Sequence, residues 1–322
     1  MSFKFYLFLI AAFILLALVA VSSGGASISL GYIVKFFTFG EIDETKELIL
    51  LQMRLPRLVM GILVGALLAT SGVVVQSVFL NPLADPYIIG IASAATFGAV
   101  IAYLLGLSDV FYGIFAFLSA SGLSLVIFKL AAHTRSISTL LIVGIAVSSF
   151  LGAFTSFAVY LIGEDSFRIT AWMMGYLGGA NWQKIALLLP PLLFCMAYFY
   201  AKRHELNIIL NGDEEAKSLG LNVEKSKKSL LIVSSLIIGF SVAFTGMIGF
   251  VGLIIPHTLR MALHTASNAV LIPASALTGG VFLVFCDVIA KNALSPVEIP
   301  IGVVTSFFGA PFFLYLAFRK HA

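Results

Sequence analysis

Few residues in this chain could carry chemistry, and most of them lie near the C-terminal third. His257, Arg260 and His264 stand at positions i, i+3 and i+7 and therefore share one face of a helix. That spacing could ligate a haem or a metal ion, or it could mark a short helix end where Arg260 extends to lipid headgroups. Asp287 lies deep in an apolar run, where an acid either belongs to an ion pathway or is paired. Lys291 follows four residues later on the same face, which favours a structural ion pair.

Polar side chains and helix breakers in the apolar segments form a second group. Gln76 could line a passage or donate hydrogen bonds to a neighbouring helix. The segment Asn81–Pro86 contains two prolines, each preceded by an Asn or Asp, and so interrupts any helix at that point. Irregular backbone at membrane depth is tolerated only beside protein or a water-filled cavity, so this turn indicates an internal passage. Gly61 and Gly65 allow two helix backbones to approach closely.

Common catalytic signatures are absent from the sequence. It contains no GxxxxGK[ST] phosphate-binding loop, no HExxH zinc motif and no GxSxG nucleophile motif. The cysteines Cys195 and Cys286 both lie inside apolar runs and are interpreted as small core residues. The sequence therefore predicts no catalytic residue and no metal site, and the chain is not expected to be an enzyme.

The composition shows which elements must position these residues. Of the 322 residues, 60% are hydrophobic and 11% are charged, and the mean hydropathy is +1.08. Soluble domains carry roughly 25% charged residues, so an ordinary soluble enzyme, a disordered chain and a nucleic-acid-binding module are excluded. The apolar runs are roughly twenty residues long, which suits membrane-spanning helices and not the alternating strands of a barrel. We expect an all-α, polytopic membrane protein that forms a single transmembrane domain over residues 1–322.

About ten membrane-spanning helices are predicted. The first run could be a signal peptide, but its length and the many later spans favour a helix that stays attached. Lys and Arg residues are more frequent in the loops that face the cytoplasm if both termini lie inside, which sets the predicted orientation. The eighth span is short. The predicted spans are residues 5–21, 58–78, 87–107, 110–132, 140–162, 185–200, 230–250, 253–263, 270–290 and 301–318.

Two segments outside the spans are charged. Residues 22–56 carry an acidic patch and are expected on the outer face. Residues 202–228 are expected on the cytoplasmic face, where Asn211 or Asp213 can cap a short helix that Gly220 ends. A short capped helix between two spans is typical of an element that docks to a partner, and a solvated linker is the alternative.

Five stretches of the sequence together resemble the FecCD family, whose members are permease subunits of ABC importers for iron-siderophore complexes, haem and cobalamin. They span most of the chain in the family's order. The stretches are LQMRLPRLVMGILVGALLATSGVVVQSVFLNPLADPYIIGI (51–91), WMMGYLGGANW (172–182), GDEEAKSLGLNV (212–223), GMIGFVGLIIPHTLR (246–260) and PVEIPIGVVTSFFGAPFFLYL (296–316).

The resemblance implies a type II ABC importer permease that works as a homodimer in the cytoplasmic (inner) membrane, surrounded by lipid. It also implies two ATP-binding cassette subunits on the cytoplasmic face and a soluble substrate-binding protein on the outer face. ATP and Mg would lie on the partner ATPase, so no cofactor is expected on this chain. No nucleic-acid partner is expected.

The resemblance also implies roles for particular residues. Docking of the binding protein is expected at Arg54, Arg57 and Lys291. The gate and translocation path are expected at Gln76, Asn81, Leu83, Ser136, Ile137 and Ser138. Coupling to the ATPase is expected within residues 202–228, at Asp213, Glu214, Ala216, Leu219 and Gly220.

We therefore expect the permease subunit of an ATP-driven importer that moves an iron chelate (siderophore) or a related metal-tetrapyrrole. Haem or cobalamin could be the substrate of the same system. A function of a different class is an ion-coupled secondary transporter, which would need an ion site near the membrane midplane. Asp287 is the one acid placed to supply such a site.

Overall fold

The computed structural model describes residues 3–24, 28–39, 43–87, 90–134 and 137–319, and this part of the chain is helical without strands. A π-helical stretch, Ile49–Arg54, joins α3 to α4, and a 3₁₀ turn, Gly163–Ser166, precedes α8. The α-helices are α1 (Phe3–Ser22), α2 (Leu30–Phe39), α3 (Glu44–Leu48), α4 (Leu55–Val78), α5 (Ile91–Leu104), α6 (Asp109–Thr134), α7 (Ile137–Ile162), α8 (Phe167–Met173), α9 (Trp182–Ala201), α10 (Arg203–Ile209), α11 (Asp213–Ser218), α12 (Val223–Thr245), α13 (Val251–Leu263), α14 (Asn268–Asn292) and α15 (Ile301–Arg319).

The described helices correspond to the ten predicted spans. Six are long and apolar enough to cross a membrane: Glu44–Val78, Val110–Ile127, Ile142–Met173, Trp182–Ala201, Val223–Thr245 and Asn268–Asn292. Four shorter apolar helices complete the set: Leu9–Ser22, Ile91–Leu104, Val251–Leu263 and Ile301–Leu316. The predicted all-α membrane architecture is therefore confirmed.

Helix α4 lies at the centre and is buried over most of its length against α14, α13, α12 and α9. Glycines make this close packing possible. A Cβ atom on Gly65 would overlap the carbonyl oxygen of Gly279 on α14, and one on Gly72 would overlap that of Gly252 on α13. Close helix packing at small residues is the usual arrangement in membranes, where van der Waals contact replaces the hydrophobic effect between helices. The predicted close packing at Gly65 is confirmed.

Large apolar side chains cover the outside of the peripheral helices. They include Phe150 and Tyr160 on α7, Phe167 on α8, and Phe307 and Phe318 on α15, all of which are exposed. A surface of this kind is unfavourable in water and favourable in a bilayer. The peripheral faces therefore suit contact with lipid or with another membrane chain.

Three predicted boundaries, in the third and seventh spans, were wrong for local reasons. The third span begins at Ile91 instead of residue 87, because an irregular turn occupies the chain after Val78. The seventh span begins at Val223, where the Asn222 side chain accepts a hydrogen bond from the Lys225 N–H. It ends at Thr245, because Gly246 adopts a left-handed φ of 68° and the chain stays irregular until α13 begins.

The outer segment before α4 contains helices that the sequence did not predict. Residues 30–39 and 44–48 form α2 and α3, and the Asp43 side chain caps α3 by accepting a hydrogen bond from the Lys46 N–H. A small apolar cluster of Val21, Ile28, Ile33 and Leu50 lies beneath this segment. The segment is therefore packed onto the C-terminal end of α1 and the N-terminal end of α4.

Candidate functional site

A network of ion pairs joins the N-terminal end of α4 to the C-terminal end of α14. The Arg57 guanidinium donates from Nε to Asp287 Oδ1 at 2.9 Å and from Nη1 to Glu298 Oε1 at 2.9 Å. The ring of Tyr176 lies 5.8 Å from the guanidinium carbon. Lys291 Nζ is 3.5 Å from Asp287 Oδ2, so the predicted Asp287–Lys291 pair is confirmed, although Arg57 is the nearer partner. Asp287 is thus paired with two cations of its own chain.

Arg54 and Lys291 bind the C-terminal end of α1. Lys291 Nζ donates to the carbonyl oxygen of Ala20 at 2.8 Å, and the Arg54 guanidinium donates to that of Val21. Both basic residues are less than a tenth exposed. Cations are favourable at this position because the last carbonyl groups of a helix carry partial negative charge. The three basic residues predicted to dock a binding protein therefore tie α1, α4 and α14 together, and their docking role stays a prediction.

The predicted break between the second and third spans is confirmed, and two side-chain turns shape it. Asn81 Oδ1 accepts a hydrogen bond from the Leu83 N–H at 2.9 Å, and Asp85 Oδ1 accepts one from the Tyr87 N–H at 2.7 Å. Leu80 adopts a left-handed φ of 52°. Asn81 is exposed and Leu83 is half-buried. We call residues 79–87 the inner turn.

The inner turn is anchored to the break between α12 and α13. Tyr87 Oη donates to the carbonyl oxygen of Ile248 at 3.3 Å, and Pro86 lies against Gly252. Burial raises the pKa of Asp85 to about 6, against the stabilising effect of the Tyr87 N–H. Burial also raises the pKa of the Tyr87 hydroxyl. The backbone of the expected gate is therefore held by α13.

Gln76 links α4 to α13. Its Nε2 donates to the carbonyl oxygens of Gly252 at 3.3 Å and Leu253 at 3.2 Å, and its Oε1 accepts a hydrogen bond from Arg260 Nη1. The expected hydrogen bonding across helices is confirmed, and the place of Gln76 on a translocation path stays a prediction. Arg260 is thus hydrogen-bonded to Gln76 within the chain, and its extension to headgroups stays a prediction.

The two histidines near Arg260 do not converge on one site. The ring of His257 packs edge-on against Phe312 with the ring centroids 5.9 Å apart. His264 is exposed and ends α13 with a left-handed φ of 49°. Among the residues that the structure describes, no group of three or more His, Cys, Asp or Glu side chains could hold a metal ion.

The predicted short cytoplasmic helix is present as α11, and Gly220 ends it as predicted. Gly220 has a φ of 84°, its N–H donates to the Lys217 carbonyl oxygen, and the Leu221 N–H donates to that of Ala216. These two bonds form a Schellman motif. The predicted N-cap was wrong: Gly212 occupies that position.

The side chains of α11 divide into a buried side and an exposed side. Asp213 Oδ1 accepts a hydrogen bond from the buried Lys227 Nζ at 2.5 Å, which explains why this carboxylate does not cap the helix. Ala216 is buried, whereas Glu214, Leu219 and Gly220 are exposed. The exposed residues of α11 and its C-terminal end form a surface that a partner could cover.

Helix α10 is bonded to α12. Glu205 accepts hydrogen bonds from Lys202 Nζ at 2.5 Å and from Ser226 Oγ at 2.6 Å. Burial alone would raise the pKa of Glu205, but these two hydrogen bonds outweigh it and lower the pKa. Glu205 therefore stays ionised and fixes α10 beside the start of α12.

A series of hydrogen bonds that the sequence did not predict connects α10 to the C-terminal end of α4. Asn207 Oδ1 accepts hydrogen bonds from Asn268 N at 2.8 Å and Asn268 Nδ2 at 3.0 Å. Asn268 Oδ1 in turn accepts one from Ser77 Oγ at 3.3 Å. Asn268 is fully buried, and an Asn at a span boundary was the available signal. The segment 203–218 is thus bonded to the helix that leads into the inner turn.

The remaining predicted gate residues lie partly beyond the described structure. Ser136 lies outside the described residues. Ile137 and Ser138 begin α7, but their side chains are not described. Their place at the gate stays a prediction.

Two cavities lie beside these elements. One of about 630 Å³ lies between the α12–α13 break and α15, and its described lining carries no charged side chain; it includes Met174, Met247, Phe250, Val303, Ser306 and Phe307. The other, of about 380 Å³, lies at the inner end of α4 and is lined by polar residues that include Gln76, Asn81, Asn211 and Arg260. We call them the apolar cavity and the inner cavity.

Comparison with known proteins identifies the family. The sequence profile of the FecCD transport family matches residues 10–319. The chain belongs to the FecCD transport family. A FecCD relative, the cobalamin import system permease protein BtuC of Halobacterium salinarum, is 42% identical over 280 residues, which cover 85% of this chain and 74% of the relative.

Other relatives match the FecCD chain over nearly its whole length. The hemin transport system permease protein HmuU of Yersinia pestis is 35% identical over 327 residues, covering 97% of this chain and 95% of HmuU. A solved inward-facing structure of a metal-chelate type ABC transporter is 30% identical, with a TM-score of 0.87 over 98% of this chain and 99% of that one. PsaBC from Streptococcus pneumoniae, at 18% identity and a TM-score of 0.59, shares the fold. This FecCD chain is an integral membrane permease subunit of the ABC-importer type.

Proposed function

We propose that this FecCD permease imports a metal chelate, either an iron–siderophore complex or a metal-tetrapyrrole such as haem or cobalamin. The observation that carries the proposal is the match to a metal-chelate type ABC transporter over almost the whole of both chains. The permeases named for cobalamin and hemin, at 42% and 35% identity, favour a tetrapyrrole as a specific second candidate.

The apolar cavity supports a path that releases its cargo readily. Its described lining presents methionine, phenylalanine and valine side chains, with Ser306 as a polar side chain and no charge. Apolar walls exclude water without offering strong directional bonds to a polar chelate. Recognition of the cargo is then the task of a soluble binding protein on the outer face, and the permease supplies passage.

We assign one partner to each of the two charged faces of the chain. We place two ATP-binding cassette subunits against the exposed side of α11, where Leu219 is 62% exposed and Glu214 is exposed as well. ATP and Mg belong to those subunits, and this chain binds no cofactor. The permease works as a homodimer in the cytoplasmic membrane as a single domain with both termini inside, and the outer segment with Arg54, Arg57 and Lys291 receives the binding protein.

The hydrogen bonds at the inner face support a mechanism of coupling. When ATP binding moves α11, the pair Lys227–Asp213 carries the displacement to α12. The chain Asn207–Asn268–Ser77 carries it to α14 and to the inner end of α4. The inner turn follows α4, so the inner mouth opens or closes as the ATPase cycles.

Transport in proteoliposomes tests this function. The permease is reconstituted with its ATPase and binding protein, and uptake of a ferric siderophore, haem and cobalamin is measured with and without ATP. We expect ATP-dependent uptake of one of these cargoes. Uptake driven by an ion gradient in the absence of the ATPase would refute the importer function and favour a secondary transporter.

A further inference from the structure

The inner cavity contains a cation whose charge no acid of the described chain balances. It lies where the inner turn, the residues 210–212 and the end of α13 meet, and Arg260 is the charged residue of its described lining. The guanidinium is half-buried and binds the neutral amide oxygen of Gln76. Within the described part of the chain, no carboxylate oxygen lies within ion-pair distance of Arg260.

Three other cations with little exposure, Arg57, Lys227 and Lys291, each have an acidic partner. Arg57 has Asp287 and Glu298, and Lys227 has Asp213. Taking a charge out of water is unfavourable unless a counter-charge or several hydrogen bonds replace the water. Arg260 has no such acidic partner within the described part of the chain. A bound anion would supply the counter-charge.

The hydrogen-bonding groups around the cavity suit an oxyanion. Arg260 has five N–H donors, of which Nη1 binds Gln76. Asn81 uses its Oδ1 to accept from the Leu83 N–H, so its NH₂ group remains a donor. Asn211 adds a second amide, and the described lining has no acid to repel an anion. Separate donors on several sides fit a tetrahedral oxyanion, and guanidinium groups bind phosphate oxygens in pairs.

We propose that the inner cavity binds a phosphate-type oxyanion, either inorganic phosphate or the phosphate of an anionic lipid headgroup, with Arg260 as its counter-charge. Such an anion would join the inner turn, through Asn81, to the segment beside α11, through Asn211. The proposal concerns binding by the permease chain itself and does not depend on which cargo is transported.

Binding of inorganic phosphate is tested on the full-length chain, purified in detergent and stripped of lipid. The thermal unfolding midpoint is followed as sodium phosphate replaces sodium chloride at constant ionic strength. We expect a saturable rise for the wild type. Arg260→Gln should weaken phosphate binding at least about tenfold, since hydrogen bonds to a charged group are lost. Arg203→Gln is the matched control, because Arg203 lies on the same side and binds Tyr200 instead.

Lipid is tested as the source of the phosphate in nanodiscs. The chain is placed in phosphatidylglycerol or phosphatidylcholine discs, and bound lipid is counted by native mass spectrometry. Retention of phosphatidylglycerol by the wild type and by Arg203→Gln, but not by Arg260→Gln, would identify an anionic lipid as the ligand. A rise of the midpoint with inorganic phosphate alone would identify the free anion.

A second variant keeps the test decisive if Arg260→Gln fails to fold. Asn211 is exposed, so Asn211→Asp should leave the fold intact while placing a carboxylate at the cavity. We expect it to abolish binding of whichever of the two ligands, phosphate or phosphatidylglycerol, the wild type binds. The proposal is overturned if the wild type binds neither ligand, or if the variants at these two positions bind them as the wild type does.

Discussion

Replacing Asp287 with Asn measures how strongly the outer ion-pair network stabilises the permease. In the wild type, the cations of Arg57 and Lys291 face the carboxylates of Asp287 and Glu298. Asp287→Asn keeps the shape of the side chain but leaves two cations with one carboxylate. The side chains of Arg57, Lys291 and Asp287 are 13%, 7% and 5% exposed, so water replaces little of the lost charge.

The expected loss in the free energy of unfolding follows from this burial. Removing one partner of a buried ion pair costs about 3–5 kcal/mol, because the other charge stays buried without compensation. We expect the lower end, about 3 kcal/mol, since Glu298 still accepts from Arg57 Nη1 at 2.9 Å. Glu298→Gln is the matched control: its side chain is 34% exposed and Asp287 remains in place, so the loss should be about 1 kcal/mol or less.

The assay is reversible unfolding of the purified chain in mixed micelles with increasing sodium dodecyl sulfate, followed by tryptophan fluorescence. The free energy of unfolding of each variant is compared with that of the wild type. Equal losses for Asp287→Asn and Glu298→Gln, or a loss for Asp287→Asn below about 1 kcal/mol, would refute the reasoning from burial. The double variant Arg57→Met with Asp287→Leu should be more stable than Asp287→Asn, because apolar residues often replace a buried pair without loss.

Three further variants test other contacts. Gly72→Ala should lower the free energy of unfolding by about 1–3 kcal/mol, because its Cβ would overlap the Gly252 carbonyl oxygen. Asp85→Asn should raise the thermal midpoint at neutral pH but not near pH ~4. The folded-state pKa of Asp85 is raised to about 6, so the wild type loses stability as pH rises from the ordinary aspartate value towards 6. Gly220→Val should lower the transport obtained per ATP hydrolysed, since a β-branched residue is strained at a φ of 84° and would distort the end of α11.

Each of these variants has its own control. Gly152→Ala places a Cβ where no atom lies within 4 Å, so a stability loss like that of Gly72→Ala would contradict the packing argument. For Asp85, parallel pH curves of the midpoint for wild type and variant would show that burial does not govern its ionisation. Gly163→Val introduces similar strain, at a φ of 68°, between α7 and α8, away from α11 in the sequence. Uncoupling by Gly163→Val as well would remove the special role of Gly220.

Features that depend on near neighbours in sequence were predictable. The Asp287–Lys291 pair follows from helical spacing, and the end of α11 follows from Gly220. The cap of the same helix was not predictable, because Lys227, which is fourteen positions away in the sequence, binds the Asp213 carboxylate that could have capped it. A local rule holds only where no distant residue competes for the same atom.

Partners that lie far apart in the sequence could not be assigned. Arg57 and Asp287 are 230 positions apart, and the sequence offered no way to choose between an outward arginine and a paired one. The same limit applies to Asn207 with Asn268 and to Gln76 with Arg260. In each case both side chains were visible in the sequence, but their contact depends on how the helices cross.

The sequence by itself determined that the chain spans a membrane and in what order its helices follow one another. It also determined where the inner turn and α11 lie. Those properties depend on the length of apolar runs and on the local preferences of proline, asparagine and glycine. Only the tertiary structure decided that Arg57 and Lys291 are balanced by acids of the same chain while Arg260 is not. The reason is physical: the cost of a charge depends on its depth and its neighbours in space, and helix packing fixes both.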